Sequence, residues 1–283
     1  MNGNKPFSAK DAKEREEKQM ALARDGNILG SSSRIFASFA DQAFSMTKKP
    51  EHYLITCEHG GNRIPPRYRS LFAGFEALLQ THRGHDPGAL ALARELARAL
   101  AAPLFVSTTS RLLVDLNRSI GHPRLYSEVT RDVPVAVRRE MLERYYLPYR
   151  NRVETHIGEA IAHGKRVIHL SSHSFTPVLD GAIRNADIGL LYDPARYGER
   201  ELCRRWQTEL RARAPELKVR RNYPYTGTSD GFTAYLRRRF PADAYIGIEL
   251  EINQKHVFRG GRQWSALRCH VIEALRQATT DAN

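Results

Sequence analysis

Residues 53–61, YLITCEHGG, indicate the fold class of this chain. Five apolar or β-prone residues form a candidate buried strand, which ends abruptly at an acid, a histidine and two glycines. A strongly helical segment, GALALARELARALAAP, follows at residues 88–103 and contains a proline at its end. Parallel strands need crossover connections of a dozen or more residues, and these are usually helices. This succession of strand and helix therefore favours an α/β fold.

The alternation continues along the rest of the chain. Further strand candidates are PLFVSTTS, RLLVDLN, KRVIHLSSHS, DIGLLYD and AYIGIELEIN, at residues 103–110, 111–117, 165–174, 187–193 and 244–253. Helix candidates occupy residues 133–164, with a break or kink at Pro148 and an end at Gly164, and residues 199–215 and 265–277. We therefore predict a mixed, mostly parallel sheet that is flanked by helices on both faces.

The first part of the chain differs in composition from the remainder. Residues 1–48 are polar and charged, show weak helical periodicity and contain the spacer-like segment GNILGSSS. We expect these residues to be an N-terminal extension, followed by a single α/β domain at residues 49–283. The 283-residue chain has 41% hydrophobic and 27% charged residues, which is typical of a folded globular protein.

Several features of the composition bear on cellular location. No stretch approaches the roughly 20 apolar residues that cross a bilayer, and the first residues lack the apolar core of a secretory signal. The three cysteines are too few and too scattered for a disulfide framework, which favours a reducing compartment. The sequence therefore predicts a cytoplasmic protein with no membrane partner; it does not predict an oligomeric state.

The chain is basic, with 44 Lys and Arg against 31 Asp and Glu and a formal net charge of +13. Such a charge attracts anionic partners, and a small acidic substrate fits it. The arginines are spread along amphipathic segments, so solvated helix faces explain them and a dedicated nucleic-acid function is not expected. The alternative from another class is a basic nucleic-acid-binding protein.

Two histidines that follow predicted strands indicate a metal site. His59 comes directly after YLITCE, and His173 comes after HLSS. Ligands of open α/β sheets bind beyond the carboxyl ends of the strands, where both imidazoles are expected. Asp86 in HRGHDPG adds a carboxylate just before a helix, which it could also cap. Imidazole nitrogens and carboxylate oxygens suit zinc, and catalytic zinc has three protein ligands.

Asn117 and Arg118 indicate a subsite for an acidic substrate. An arginine fork beside an amide matches the two oxygens of a carboxylate. The alternative is that Arg118 only pairs with Asp115 of the same segment. The segment NYPYTGTSDGF, residues 222–232, is expected to form a loop over the pocket, with Tyr225 either bonding to the substrate or packing on proline.

Two acids in the last predicted strand indicate a catalytic base. Glu249 and Glu251 are two residues apart, so they share one face of the strand. Two acids on one face of a buried strand carry a desolvation cost unless they serve a metal, a proton transfer or an ion pair. A carboxylate near a zinc-bound water can act as general base and remove the proton as the hydroxide attacks a carbonyl.

Ordered blocks over about residues 52–278 resemble the N-formylglutamate amidohydrolases. The blocks are LITCEHGGNRIP, HRGHDPGALALA, SRLLVDLNRS, HLSSHSFTP, DIGLLYD, RNYPYTG and IELEINQKHV, and their joint occurrence in this order is specific. The resemblance implies hydrolysis of N-formyl-L-glutamate to formate and glutamate. It also implies a fold like that of zinc-dependent exopeptidases, including carboxypeptidases and aspartoacylases, with one Zn²⁺ per chain. The alternative within this class is an amidase for another N-acyl amino acid or a short peptide. The nucleic-acid-binding alternative would then keep an inactive hydrolase core.

The resemblance also implies roles for individual residues. His59 matches the first zinc ligand of the related exopeptidases, and His173 matches the last. Asn117 and Arg118 match the pair that holds a carboxylate of the substrate. Glu251 matches the general base, which takes a proton and passes it to the leaving amine; Glu249 remains the alternative base.

One position departs from the exopeptidase pattern. Asn62 stands where those relatives have a glutamate ligand, and a neutral amide is a poor ligand for zinc. We infer that Asp86 supplies the missing carboxylate, with Glu58 and Asn62 as the alternatives for the third ligand. Arg63 is expected to hold a second carboxylate of the substrate or to stabilise the oxyanion.

Overall fold

The structure, a computed structural model, describes residues 49–280, so the expected extension at residues 1–48 lies outside the described part. The strands there are β1 (Glu51–Cys57), β2 (Leu104–Val106), β3 (Arg166–Phe175), β4 (Val178–Leu179), β5 (Ala182–Ile183), β6 (Ile188–Leu191), β7 (Val219–Arg221) and β8 (Tyr245–Asn253). Six of them form one sheet in the order β2–β1–β3–β8–β6–β7, and β4 with β5 forms a separate hairpin. Strands β2, β1, β3 and β8 are parallel, whereas β6 runs antiparallel to β8. The predicted mixed, mostly parallel sheet is therefore confirmed.

Helices cover both faces of this sheet. They are α1 (Glu76–Leu79), α2 (Ala89–Ala99), α3 (Val135–Met141), α4 (Leu147–Ala162), α5 (Tyr197–Arg213), α6 (Phe232–Arg239), α7 (Gln254–Arg259) and α8 (Gly261–Thr280). Consecutive strand residues pack into different cores, as the pleat of a strand requires. Ile55 and Ile168 pack with α2, α5 and α8, whereas Leu54 and Val167 pack with α4 and α6. No helix among residues 49–280 is long and apolar enough to cross a membrane.

The predicted strand RLLVDLN is wrong. Residues 111–117 form turns, in which the Leu113 amide donates to the Ser110 carbonyl and the Asn117 amide donates to Oδ1 of Asp115. Most of the apolar side chains of this segment are buried beneath loops, which produces the same apolar run as a buried strand. The apolar run at residues 112–116 therefore indicates that these side chains are buried, but not that the backbone is extended.

The predicted break in the long helical segment is present, but it precedes Pro148. A π-helical turn at Leu142–Tyr146 separates α3 from α4. Pro148 then lies in the first turn of α4, where its missing N–H is tolerated. Gly164 follows the end of this helix with φ of +74°, a conformation that glycine adopts without strain.

The sheet brings the predicted site residues to one edge. Strands β3 and β8 pair from Val167 and Tyr245 onward, and His173 lies opposite Glu251 in this register. Strand β1 is shorter and ends at Cys57, so His59 lies just beyond its carboxyl end. Parallel strands thus deliver these side chains to the same end of the sheet, where ligands of α/β proteins bind.

Candidate active site

Three buried side chains form a group that could hold a metal ion. His59, Asp86 and His173 each offer one ligand atom, and these atoms all lie within 4.8 Å of one another. Oδ2 of Asp86 lies 2.9 Å from Nδ1 of His173 and 3.4 Å from Nδ1 of His59. Two imidazole nitrogens and one carboxylate oxygen are a donor set that zinc favours. The geometry therefore favours Asp86 over the other two candidates for the third ligand.

The backbone around His59 fixes the first ligand. The amide of Gly60 donates to the Ser107 carbonyl at 3.0 Å, and a Cβ on Gly61 would lie 2.8 Å from the Thr108 carbonyl oxygen. A side chain at residue 61 would therefore push these two segments apart. The amide of Asp86 donates to the carbonyl of His59 at 3.0 Å, so a direct backbone bond ties two of the ligands together.

Asp86 does not cap the helix that follows it. The N-cap of α2 is Gly88, which has φ of +81° and no side chain to offer. Only the backbone carbonyl of Asp86 takes part in the turn, as it accepts from the amide of Ala89. The carboxylate is left to the two histidines, to Arg111 and to the backbone amide of Ser174. The histidines and Arg111 outweigh the effect of burial and hold the pKa of Asp86 below its usual value.

Each candidate ligand histidine has a second carboxylate beside its other ring nitrogen. Nε2 of His59 lies 2.7 Å from Oδ1 of Asp115, whereas Nε2 of His173 lies 2.9 Å from the Ser171 hydroxyl and 3.2 Å from Oε2 of Glu58. When either ring is neutral, an Nε2–H donated on this side leaves Nδ1 unprotonated, and in both rings Nδ1 faces Asp86. Both rings are therefore oriented to offer Nδ1 to a metal ion.

Glu58 and Asn62 are occupied elsewhere. The fully buried Glu58 carboxylate accepts from the Tyr149 hydroxyl at 2.9 Å and the Ser171 hydroxyl at 2.6 Å, in addition to its contact with His173. The amide of Asn62 donates to the carbonyl of Leu79 at 3.1 Å, and so holds the end of α1. Neither belongs to the group of ligand atoms around Asp86.

Protonation of His173 competes with metal binding. Burial lowers the pKa of this imidazole, but hydrogen bonds to Asp86 and Glu58 outweigh burial and raise the pKa well above its usual value. A metal ion at this site would have to displace a proton from His173, so its binding would weaken as the pH falls.

A cavity of about 660 Å³ opens beside the three candidate ligands. Its lining includes all the predicted site residues except one: His59, Asp86, Asn117, Arg118, His173, Tyr225 and Glu251, together with Glu249. The exception is Arg63, whose side chain is exposed and lies outside the lining, while its backbone bridges to Thr109. The structure therefore does not bring Arg63 to the position that the sequence suggested.

The two acids of β8 differ in their surroundings. Oε1 of Glu249 accepts from the Thr233 hydroxyl at 2.8 Å. Glu251 is 6% exposed, and its Oε2 is buried without a hydrogen-bond partner among the described residues. Burial raises the pKa of Glu251 to about 8. A carboxyl group that titrates near neutral pH suits proton transfer, so the geometry favours Glu251 over Glu249 as the base.

Asn117 and Arg118 present hydrogen-bond donors to the cavity. Oδ1 of Asn117 accepts from the amide of Phe232 at 2.6 Å, which leaves the NH₂ group as the free end of the side chain. Nη1 of Arg118 donates to the backbone carbonyl of Asp230, while its Nε is buried without a partner among the described residues. A carboxylate is the acceptor that such a pair of donors fits.

The sequence did not single out Arg111. Its guanidinium donates to Oδ2 of Asp115 at 2.7 Å and lies 3.4 Å from Oδ1 of Asp86, so Arg111, rather than Arg118, pairs with Asp115. Opposite charges four residues apart were the available signal. In the strand predicted for residues 111–117, however, two residues at this spacing would lie roughly 13 Å apart, so the prediction concealed the pair.

Tyr225 lies at the exposed side of the cavity. Its side chain is 45% exposed, and its hydroxyl accepts from Nη1 of Arg184 at 2.9 Å. The guanidinium of Arg184 also stacks over the Tyr225 ring at 4.9 Å. Because Arg184 directly follows the β4–β5 hairpin, this contact joins the hairpin to the loop that carries Tyr225.

Comparison with known proteins places the chain in a family. A family model for N-formylglutamate amidohydrolase matches residues 52–258. A solved gene product of Agrobacterium tumefaciens is 30% identical, with a TM-score of 0.71 and coverage of 83% of this chain and 92% of the other. N-formylglutamate amidohydrolase of Ralstonia eutropha JMP134 is 21% identical, with a TM-score of 0.59 and coverage of 82% and 96%, which shows a shared fold. No curated protein matches significantly. The family model spans more than half of the chain, which therefore belongs to the N-formylglutamate amidohydrolase family.

Proposed function

We propose that this protein is a metal-dependent amidohydrolase that cleaves the formyl amide of N-formyl-L-glutamate and releases formate and glutamate. The observation that carries the proposal is the convergence, in one cavity, of the His59, Asp86 and His173 group, the Glu251 carboxyl and the Asn117–Arg118 pair. These are the groups that metal-assisted hydrolysis of an acidic amide requires. The family to which the chain belongs supports the choice of reaction.

The donor set fits one Zn²⁺ ion per chain. His59, Asp86 and His173 would hold it, and the carboxylates of Asp115 and Glu58 would keep both rings in the ligating tautomer. When bound, zinc supplies Lewis acidity toward an amide carbonyl and lowers the pKa of water.

Glu251 exchanges protons during the reaction. Its carboxyl lines the same cavity as the ligand group, and the pKa of about 8 places its titration close to neutral pH. As a carboxylate it removes a proton from the attacking water, and as a carboxylic acid it returns that proton to the nitrogen of the leaving glutamate. Both steps need a carboxyl group that reaches the cavity, and Glu251 is among the residues that line it.

Asn117 and Arg118 orient the substrate. The NH₂ group of Asn117 and the guanidinium of Arg118 bind a carboxylate of the glutamyl part, which holds the amide in register with Glu251. The interaction is present in both the substrate and the transition state, so it contributes mainly to substrate affinity.

The size of the cavity favours a second candidate within the same reaction class. Cavities of roughly 300–1,000 Å³ bind drug-sized ligands, whereas N-formylglutamate has only about a dozen non-hydrogen atoms. The volume of about 660 Å³ therefore leaves room for a larger acyl group or for a short peptide. An amidase that acts on another N-acyl amino acid or a short peptide would use the same site residues.

A substrate panel and a metal analysis test the proposal together. Protein purified without chelator is assayed with N-formylglutamate, N-acetylaspartate and a short acidic peptide. We expect N-formylglutamate to give the highest kcat/KM and the metal content to be about one zinc per chain. A higher kcat/KM for one of the other two substrates would support the second candidate.

Removal of the metal tests whether turnover depends on a metal ion, independently of which substrate the enzyme prefers. Exhaustive dialysis against chelator should abolish turnover, and added zinc should restore it. Full activity in metal-free protein would contradict the proposed mechanism, whichever substrate is preferred.

A further inference from the structure

Arg150 of α4 is a buried cation without a carboxylate in ion-pair contact among the described residues. Its side chain is 4% exposed, and its guanidinium lies over the rings of Phe232, Tyr235 and Tyr146 at 4.3, 4.4 and 4.9 Å. Burial lowers its pKa, with Glu58 among the groups that raise it, yet a guanidinium keeps its charge in proteins. Nη2 is buried with no hydrogen-bond partner among residues 49–280. Burying an unpaired charge is costly, so this arrangement calls for a compensating role.

The partners of Arg150 lie on both sides of Asn117. Nη1 donates to the carbonyl of Leu116 at 3.0 Å and to the carbonyl of Arg118 at 3.3 Å. The carbonyl of Arg118 also accepts from the hydroxyl of Tyr146 at 2.7 Å. Residues 111–117 are turns rather than a strand, so no regular ladder runs along this segment. The carbonyls of Leu116 and Arg118 accept from these side-chain donors instead of from a neighbouring strand.

The same cluster fixes the amide of Asn117. Phe232, whose ring packs against the guanidinium of Arg150, donates its backbone N–H to Oδ1 of Asn117 at 2.6 Å. A Cβ on the preceding Gly231 would lie 3.4 Å from Oδ1 of Asn117, so the start of α6 and the Asn117 side chain are packed closely. Arg150 therefore contacts both the backbone on either side of Asn117 and Phe232, whose amide holds the Asn117 side chain.

We infer that Arg150 is a positioning residue for recognition of the substrate carboxylate: it fixes the backbone on both sides of Asn117, so that the donors of Asn117 and Arg118 face the substrate. Arg150 is not among the residues that line the cavity, so it acts through these two residues. An apolar side chain could fill the space between the three rings, but it could not bind the two carbonyls. The inference rests on the proposed function, in which the pair binds a carboxylate.

Steady-state kinetics of two variants provide the first test. Arg150→Met removes both carbonyl bonds and keeps much of the packing, whereas Tyr146→Phe removes one bond to the Arg118 carbonyl and keeps the ring. We expect KM for N-formylglutamate to rise by about tenfold or more in the first and by about threefold in the second, with kcat changed less than about threefold in both. Tyr235→Phe is the matched control, because that hydroxyl donates to Glu154 rather than to the segment, and its KM should stay unchanged.

A double-mutant cycle separates positioning from general stabilisation. In a background that carries both Asn117→Ser and Arg118→Met, adding Arg150→Met should raise KM by less than about threefold, because both side chains that Arg150 positions are already gone. Equal effects of Arg150→Met in both backgrounds would overturn the inference. Unchanged KM in both Arg150→Met and Tyr146→Phe, or a loss confined to kcat, would also overturn it.

Hydrogen exchange gives a measurement that does not need turnover. In Arg150→Met, amides of residues 111–119 should exchange faster, while those of β3 should keep the wild-type rate. If wild-type protein fails to hydrolyse N-formylglutamate, the proposed function falls, and this measurement still tests the role of Arg150. Unchanged exchange at residues 111–119 would refute that role even in an active enzyme. If Arg150→Met does not fold, the exchange rates of residues 111–119 and of β3 are compared between Tyr146→Phe and the wild type instead.

Discussion

Replacing Asp115 by asparagine should weaken zinc binding without removing any of the three ligands. Oδ1 of Asp115 accepts from Nε2 of His59 at 2.7 Å, and Oδ2 accepts from Nη2 of Arg111 at 2.7 Å. Burial raises the pKa of the Asp115 carboxyl, but Arg111 and His59 outweigh burial and keep that pKa well below its usual value, so the group is an anion. An asparagine must direct its NH₂ group toward one of these two donors.

Either orientation of the asparagine costs zinc affinity. If the NH₂ group faces Arg111, His59 loses an anionic partner. If it faces His59, Nε2 becomes the acceptor and the proton moves to Nδ1, which is the nitrogen directed at Asp86. Loss of such an outer carboxylate commonly reduces metal affinity by about 10–100-fold, which is about 1.4–2.8 kcal/mol.

The measurement is a zinc titration against a competing chelator at pH 7. Asp187→Asn is a matched control, because Asp187 also lies 2.7 Å from a histidine nitrogen, Nε2 of His256, but neither residue lines the cavity. We expect Asp115→Asn to bind zinc about 10–100-fold more weakly, while Asp187→Asn binds it as the wild type does. Wild-type zinc affinity in Asp115→Asn, in protein with a normal melting temperature, would refute the orientation of His59 described above.

Three further changes test other parts of the site and the fold. Glu251→Gln should keep a normal zinc content and lower kcat by about 10²–10⁴-fold, because an amide transfers no proton; retained turnover would move the base to Glu249. Arg118→Met should raise KM for N-formylglutamate by about 10–100-fold. Arg63→Met should change KM less than about twofold, since Arg63 is exposed and lies outside the cavity lining. Equal effects of the two variants on KM would contradict the carboxylate subsite. Burial lowers the pKa of His169 to about 4, so this imidazole stays neutral in the folded protein while it protonates in the unfolded chain; its contribution is full above about pH 6.5 and is lost as the pH falls toward 4. Urea unfolding should therefore show a loss of about 3 kcal/mol from this group over that range, and a His169→Gln variant with an equally steep decline would exclude it as the source.

The local part of the site could be predicted from the sequence. His59, His173 and Glu251 each stand at or near the end of an apolar run, and the carboxyl ends of strands in such a sheet meet at one edge. Asp86 could be proposed because a carboxylate just before a helix lies close to the same edge. Periodicity and chain order suffice for this part because each signal lies within a few residues of the group that it predicts.

The irregular segments could not be predicted in the same way. Arg63 and Arg111 both lie close to predicted strands, and only the path of the backbone decides that Arg111 faces the cavity. His59 and Asp115 are hydrogen-bonded although they are 56 positions apart in the sequence, and Asp115 lies in a segment of turns. Turns carry no periodic signal, and the apolar residues of this segment imitate a strand. The irregular backbone of residues 111–117 therefore explains both the wrongly predicted strand and the missed bond between His59 and Asp115.

The two residues that follow β1, Glu58 and His59, take part in the orientation of both candidate ligand histidines. Glu58 bonds to the ring of His173, and its neighbour His59 is itself a candidate ligand that is bonded to Asp115. All three candidate ligands are thus in place through bonds within the protein, and little conformational entropy remains to be lost when an ion enters. Zinc should then add stability by mass action without directing folding, in contrast to small domains that are unfolded without their metal. In a cell short of zinc, the chain would persist as a folded, inactive protein that regains activity when the ion returns.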